Sequence, residues 1–137
     1  LVQETLRARV NGTIPDRLLR KALALKKEQF QQYLADKGLT YREYRIAHRV
    51  KPQEVEDELY DEAFDELSTD IALDLVFIKQ GLSVDQDKID ATLAELAPGK
   101  EKELLEELTA TGKTWMLHQK ARRDVALDWA VGHLLQR

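Results

Sequence analysis

An all-α protein with long helical arms is what the sequence predicts, and three observations carry that prediction. Hydrophobic residues make up 43% and charged residues 34% of the 137, with Ala, Leu, Glu, Lys, Arg and Gln dominant, a vocabulary of high helix propensity. Only 6 Gly and 3 Pro are present, and most stand between amphipathic runs, where they act as helix stops and starts. Apolar residues recur at threes and fours over stretches too long for strands. The length is that of one domain, so residues 1–137 are read as a single helical domain of irregular multi-helix architecture.

The elements follow in order. Val2, Leu6 and Val10 are spaced i, i+4, i+8, so the first residues read as the last turns of a helix, stopped by Asn11-Gly12. The chain starts at Leu1 rather than Met, with no signal-peptide apolar block, and is read as cut from a longer protein. Asn11-Gly12-Thr13 is also an Asn-x-Thr acceptor, but nothing marks the chain as secreted, and the helix-turn-helix junction is the preferred reading. A long helix starts at Pro15, because Pro in the first helical position forfeits only an N–H that would be unpaired anyway. From there to Lys37, Leu18, Leu19, Ala22, Leu23, Leu25, Phe30, Tyr33 and Leu34 cover half of the helical wheel.

Gly38 stops that helix. Thr40-Tyr41-Arg42-Glu43 is a capping box that opens a short helix from Tyr41 to near Val50, and Lys51-Pro52 opens the next. The helix from Pro52 to Gln80 is the longest, with Tyr60, Phe64, Leu67, Ile71, Leu75 and Ile78 along one face that is expected to pack as a helical hairpin or coiled coil. Phe64 is read as core. The same helix carries ten carboxylates from Glu54 to Asp74, and the preceding long helix carries Arg17, Arg20, Lys21, Lys26 and Lys27. Antiparallel packing would let the two fields complement one another, but exposed pairs contribute only ~0–1 kcal/mol each, so two solvated faces are the plainer reading.

Gly81 ends the long helix, Asp85 caps the next, and Val84 with Ile89 forms a hydrophobic staple at its start. That helix carries Ile89, Leu93 and Leu96. Pro98-Gly99 turns the chain, Leu104, Leu105 and Leu108 mark a short helix, and Thr111-Gly112 turns it again. The last helix runs from Lys113 to Leu135, with Trp115, Val125 and Trp129 as its apolar stripe, widened by Leu127, Val131 and Leu134.

Composition and motif content narrow the function. A net charge of −4 argues against nucleic acid, whose binding requires a basic footprint. The longest apolar run, Leu75-Val76-Phe77-Ile78, falls far short of the ~20 residues of a membrane span. There is no Cys, so no thiolate chemistry and no disulfide framework. His48, His118 and His133 lack metal-binding spacing, and Asp85-Gln86-Asp87-Lys88 lacks the turn Gly and final Glu of a calcium loop. With no Gly-rich phosphate loop, no Ser elbow and two Ser in all, an enzyme is disfavoured, and no metal or cofactor is implied. Two clusters remain as candidates for recognition of apolar partners. Leu39, Tyr41, Tyr44 and Ile46 lie on or beside the short helix at the far end of the predicted hairpin. Trp115, Met116 and Leu117 point to three different sides of one turn, and Met adapts to varied surfaces.

The order of these signals resembles the C-terminal, substrate-binding domain of bacterial trigger factor. TIPDRLL is similar to the family's Val-Pro-Glu-x-Leu-Val helix start, and YLADKGLTYREY to its Gly-Leu-Ser-x-x-Glu-Tyr connection. FDELSTDIALDLVFIKQGLSVDQDKIDATLAELA looks like the family's long helix, turn and following helix, and DVALDWAVGHL like its Lys-Ala-Leu-Asp-Trp-Leu ending. The resemblance implies a cytoplasmic, ATP-independent chaperone domain that cradles unfolded or nascent polypeptides. It also implies that ribosome contact belongs to an N-terminal domain, and prolyl isomerisation to a further domain, neither of which is recognisable in these residues. Homodimerisation stays open. The competing reading is an interaction or dimerisation module that holds one folded partner through the Tyr60–Ile78 stripe or a terminal helix. A related helical fold accompanies periplasmic parvulin-type (SurA-like) chaperones.

Overall fold

Each helix boundary has a local chemical cause. The computed structural model describes residues 14–134, and among them six helices alternate with short turns: α1 Asp16–Lys37, α2 Tyr41–His48, α3 Pro52–Lys79, α4 Gln86–Leu96, α5 Glu101–Ala110 and α6 Thr114–Leu134. The helix expected before Asn11, the sequon and the predicted last residue, Leu135, lie outside the described residues. The helix α1 begins one residue later than expected: Pro15 has the φ its ring imposes, −58°, but a non-helical ψ of 130°. It is the cap rather than the first helical residue, and its carbonyl accepts the N–H groups of Leu18 and Leu19, each at 3.1 Å.

The stop at Gly38 has φ 66°, and the Leu39 N–H returns to the Leu34 carbonyl at 2.9 Å, closing the end of α1. Thr40 and Glu43 form the predicted box, the Glu43 N–H donating to Thr40 Oγ1 at 3.1 Å and the Thr40 N–H to Glu43 Oε1 at 3.3 Å. Asp85 Oδ1 accepts the Lys88 N–H at 2.8 Å, so Asp85 acts as a helix cap.

The end of α2 departs from this economy. Arg49 takes φ 54°, the left-handed conformation that glycine adopts at the other stops, while the Val50 N–H reaches the Arg45 carbonyl at 3.1 Å. A side chain in that region is strained, and glycine removes the strain at some cost in unfolded-chain entropy. Arg49→Gly is therefore expected to stabilise the protein by about 0.5–1 kcal/mol, a rise of a few degrees in thermal midpoint. An unchanged or lower midpoint would contradict this reading of the turn.

The described residues form two compact units, 14–69 and 70–134, divided within α3. In the first, α3 buries Val55, Leu59 and Ala63, spaced i, i+4, i+8, and α1 buries Leu34. This corrects the sequence expectation for α3. Tyr60 and Phe64 are 44% and 39% exposed and stack on one another, with centroids 6.4 Å apart. The buried side of the helix carries the smaller residues, and the aromatics are left outside. The predicted face of α1 is half-buried at Leu19, Ala22, Leu23 and Phe30 and buried at Leu34, while Leu18, Leu25 and Tyr33 are exposed. Two cross-helix ion pairs join the charged faces, Lys26 with Glu66 and Lys27 Nζ with Glu56 Oε2 at 3.2 Å. The pairings run in opposite senses along the two helices, as in a hairpin, since Phe30 lines one cavity with Val55 and Leu59 while the earlier Lys26 reaches the later Glu66.

The second unit has the denser core. Ile89 and Leu93 of α4 meet Leu117 and Ala121 of α6, and Val84, Leu104 and Leu108 close the cluster, with Val84 in its predicted staple position. A second buried side of α6 carries Ala126 and Ala130. Arg123 shares that side, three and seven residues before them. Its Nε and Nη2 donate to Asp74 Oδ1 and Oδ2 at 3.0 and 3.1 Å, and Nη1 lies 3.4 Å from Asp70 Oδ2. The stripe predicted from Trp115, Val125 and Trp129 is thus replaced by an alanine-rich one. Three buried hydroxyls are satisfied within their own helices: Ser68, Thr69 and Thr92 donate to the carbonyls of Phe64, Asp65 and Lys88 at 2.7–2.9 Å.

Candidate functional site

The apolar surface is distributed over separate patches. In the first unit the capping box fixes the entry of α2 and presents Tyr41 and Tyr44 to α1. Phe30 receives Tyr44 edge-on at 5.0 Å and Tyr41 edge-on at 6.2 Å, Tyr33 meets Tyr44 at 6.5 Å, and His48 lies 4.3 Å from Tyr44. Edge-to-face pairs of this kind contribute about 0.5–1.5 kcal/mol beyond their area, so the cluster holds α2 onto α1. The Arg45 guanidinium covers the Tyr41 ring at 5.1 Å. Leu39 and Tyr44 are half-buried, Tyr41 keeps an exposed edge, and Ile46 is 66% exposed. Ile46 is two residues from Tyr44 and so points to the opposite side of α2. The four predicted residues therefore do not make one surface: the tyrosines belong to the aromatic cluster and Ile46 stands apart.

Beside the cluster lies a groove between α1 and α3. Its cavity of about 190 Å³ is walled by Phe30, Tyr44, Val55 and Leu59, with Glu58 and Glu62 also lining it. A second cavity of about 150 Å³ shares Phe30, Val55 and Leu59 and adds Tyr41. Both fall below the roughly 300–1,000 Å³ of sites for whole small molecules, so each fits a single side chain. Burial raises the pKa of the Tyr44 hydroxyl, and the negative charge of Glu58, with smaller effects from Tyr33 and Glu62, raises it further. The hydroxyl stays protonated and remains a hydrogen-bond donor.

In the second unit, the first turn of α6 separates the three predicted residues. Trp115 and Met116 are 58% and 47% exposed, whereas Leu117 is 2% exposed and packs on Ile89, Leu93 and Ala121. Leu117 is accordingly removed from the candidate surface, because its side of the turn faces α4. Trp115 and Met116 remain as an exposed pair.

Sequence reasoning missed Tyr60, Phe64 and the groove residues Phe30, Val55 and Leu59. A usable signal was present in Val55, Leu59 and Ala63, a tapering i, i+4, i+8 series pointing away from the aromatic stripe. Among the described residues no group of three or more His, Asp or Glu is placed to hold a metal ion, and no helix is long and apolar enough to cross a membrane.

Comparison with known proteins adds one positive finding. A sequence model of the bacterial trigger factor protein C-terminus matches residues 2–132. No curated protein and no solved structure matches the chain. The region matched is the chaperone part of that family and not its isomerase domain. With nearly the whole chain covered and every described element helical, the chain belongs to the bacterial trigger factor family, within its C-terminal, chaperone-type domain.

Proposed function

We propose that this domain binds unfolded or nascent polypeptides directly, in the cytoplasm and without nucleotide, as the chaperone portion of a longer protein. The observation that carries the reading is the exposed pair Trp115–Met116 on a helix that buries the adjacent Leu117 and Ala121 in the core. The stacked Tyr60–Phe64 pair and Ile46 are further apolar surface of the same kind. Small separate patches suit clients with apolar segments at varied spacing, since each contact is weak and several add through effective concentration. Release stays fast because no single contact dominates.

Burying the exposed parts of Trp115 and Met116 against a client contributes on the order of 1–2 kcal/mol. A Trp115→Ser, Met116→Gln variant is expected to bind a permanently unfolded, reduced and alkylated protein about tenfold more weakly, with helicity and thermal midpoint nearly unchanged. Unaltered affinity, measured by fluorescence anisotropy of the labelled client, would remove this pair from the binding surface.

A second reading draws on the part of α3 in the first unit, where Tyr60 and Phe64 are exposed one turn apart. Such a pair suits one folded helical partner or a second copy of the chain. Saturable one-to-one binding of one protein, with no affinity for unrelated unfolded chains, would favour this reading over the first.

A further inference from the structure

The groove between α1 and α3 combines an apolar interior with charge of one sign. Phe30, Val55 and Leu59 offer an apolar floor, Tyr44 a hydroxyl, and Glu58 and Glu62 two carboxylates one helical turn apart on α3. Like charges at i, i+4 repel, and the arrangement would be relieved by a cation placed between them. Neither carboxylate takes part in an ion pair among the described residues. The cation that also lines the groove, Lys26, is already engaged by Glu66. The second cavity, by contrast, is lined by Glu56 and by the Lys27 that pairs with it at 3.2 Å, so of the two cavities the one beside Tyr44 holds the carboxylates without an ion pair.

A lysine or arginine side chain meets each of these features. Its methylene stem would lie on the apolar floor, and its cationic head would reach the carboxylates, as long basic side chains do at apolar surfaces. The cavity volume admits one such side chain and not a folded surface. We infer that this groove is a subsite for a basic side chain of an extended polypeptide, with Glu58 and Glu62 reading its charge and Phe30, Val55 and Leu59 its stem. The inference rests on the polypeptide-binding reading above and gives it a chemical preference at one position.

The test uses the full 137-residue chain and two labelled, disordered peptides that differ at one position, lysine in one and its uncharged near-isostere norleucine in the other. Each is titrated by fluorescence anisotropy at low and high salt against the natural chain and a Glu58→Gln, Glu62→Gln variant. The lysine peptide is expected to bind the natural chain about fivefold more tightly than the norleucine peptide at low salt, with the advantage lost in the variant and reduced by salt. The variant should keep its affinity for the norleucine peptide, which also shows that it is folded. Equal affinity of the two peptides for the natural chain would overturn the subsite while leaving the broader reading intact. An advantage of lysine that persists in the variant would place charge recognition elsewhere. Failure of both peptides to bind, together with failure of a whole unfolded protein to bind, would overturn the subsite and the polypeptide-binding reading alike.

Discussion

Replacing Leu117 by Ala is expected to lower the free energy of unfolding by about 3 kcal/mol. The side chain is 2% exposed and stands where α6 meets α4, against Ile89, Leu93 and the fully buried Ala121. Truncation removes the transfer free energy of the buried carbons and leaves a cavity, because the neighbouring alanine cannot grow to fill it. In a chain of this size, the loss corresponds to a thermal midpoint lower by about 8–12 °C. The neighbours give the contrast: truncating Trp115 or Met116 removes exposed surface and should change stability by less than about 0.5 kcal/mol. Urea unfolding followed by circular dichroism separates the two cases. A loss below about 1 kcal/mol for Leu117→Ala would contradict the placement of this residue in the core.

Arg123 carries the second large effect. Burial alone would lower its pKa, but its hydrogen bonds to Asp74 and the charges of Asp70 and Asp74 outweigh burial, and the net shift is upward. The guanidinium meets both Asp74 oxygens in a fork, a geometry that lysine cannot reproduce. Arg123→Ala removes the fork on Asp74 and the guanidinium between Asp70 and Asp74, one turn apart on α3, and is expected to cost about 1–3 kcal/mol. Arg123→Lys should recover less than half of that. Neutralising the carboxylates as well, with Asp70→Asn and Asp74→Asn, should restore much of the loss, since without the guanidinium the two like charges repel across one turn. A triple variant no more stable than Arg123→Ala alone would show that the loss is one of packing.

These two positions also mark where the sequence was legible and where it was not. The punctuation was plain: Gly38, Thr40 with Glu43, Pro52, Gly81 and Asp85 each act locally, through a φ value or one or two hydrogen bonds, and each stands where its chemistry requires. Which face of a helix is buried is not a local property. Periodicity marked Tyr60, Phe64 and Trp115 because they are large, but two helices approach most closely through small side chains. Ala63, Ala121, Ala126 and Ala130 therefore occupy the buried positions, and the aromatics project outward. The pairing of Arg123 with Asp74 spans 49 residues, that with Asp70 is longer still, and neither has a counterpart in any short motif. For the candidate surface, the choice of Trp115 and Met116 followed from the divergence of successive side chains on one turn, whereas the groove beside Tyr44 needs two helices and could be read from neither alone.

The central claim, that the domain holds unfolded chains by itself, is tested most directly by light scattering. Several unrelated proteins are diluted from denaturant with and without an excess of the domain and with no nucleotide present. The account predicts slower and weaker scattering for most of them, diminished when Trp115 and Met116 are replaced by Ser and Gln. Unchanged scattering for every client, from a domain shown to be helical in the same buffer, would contradict it.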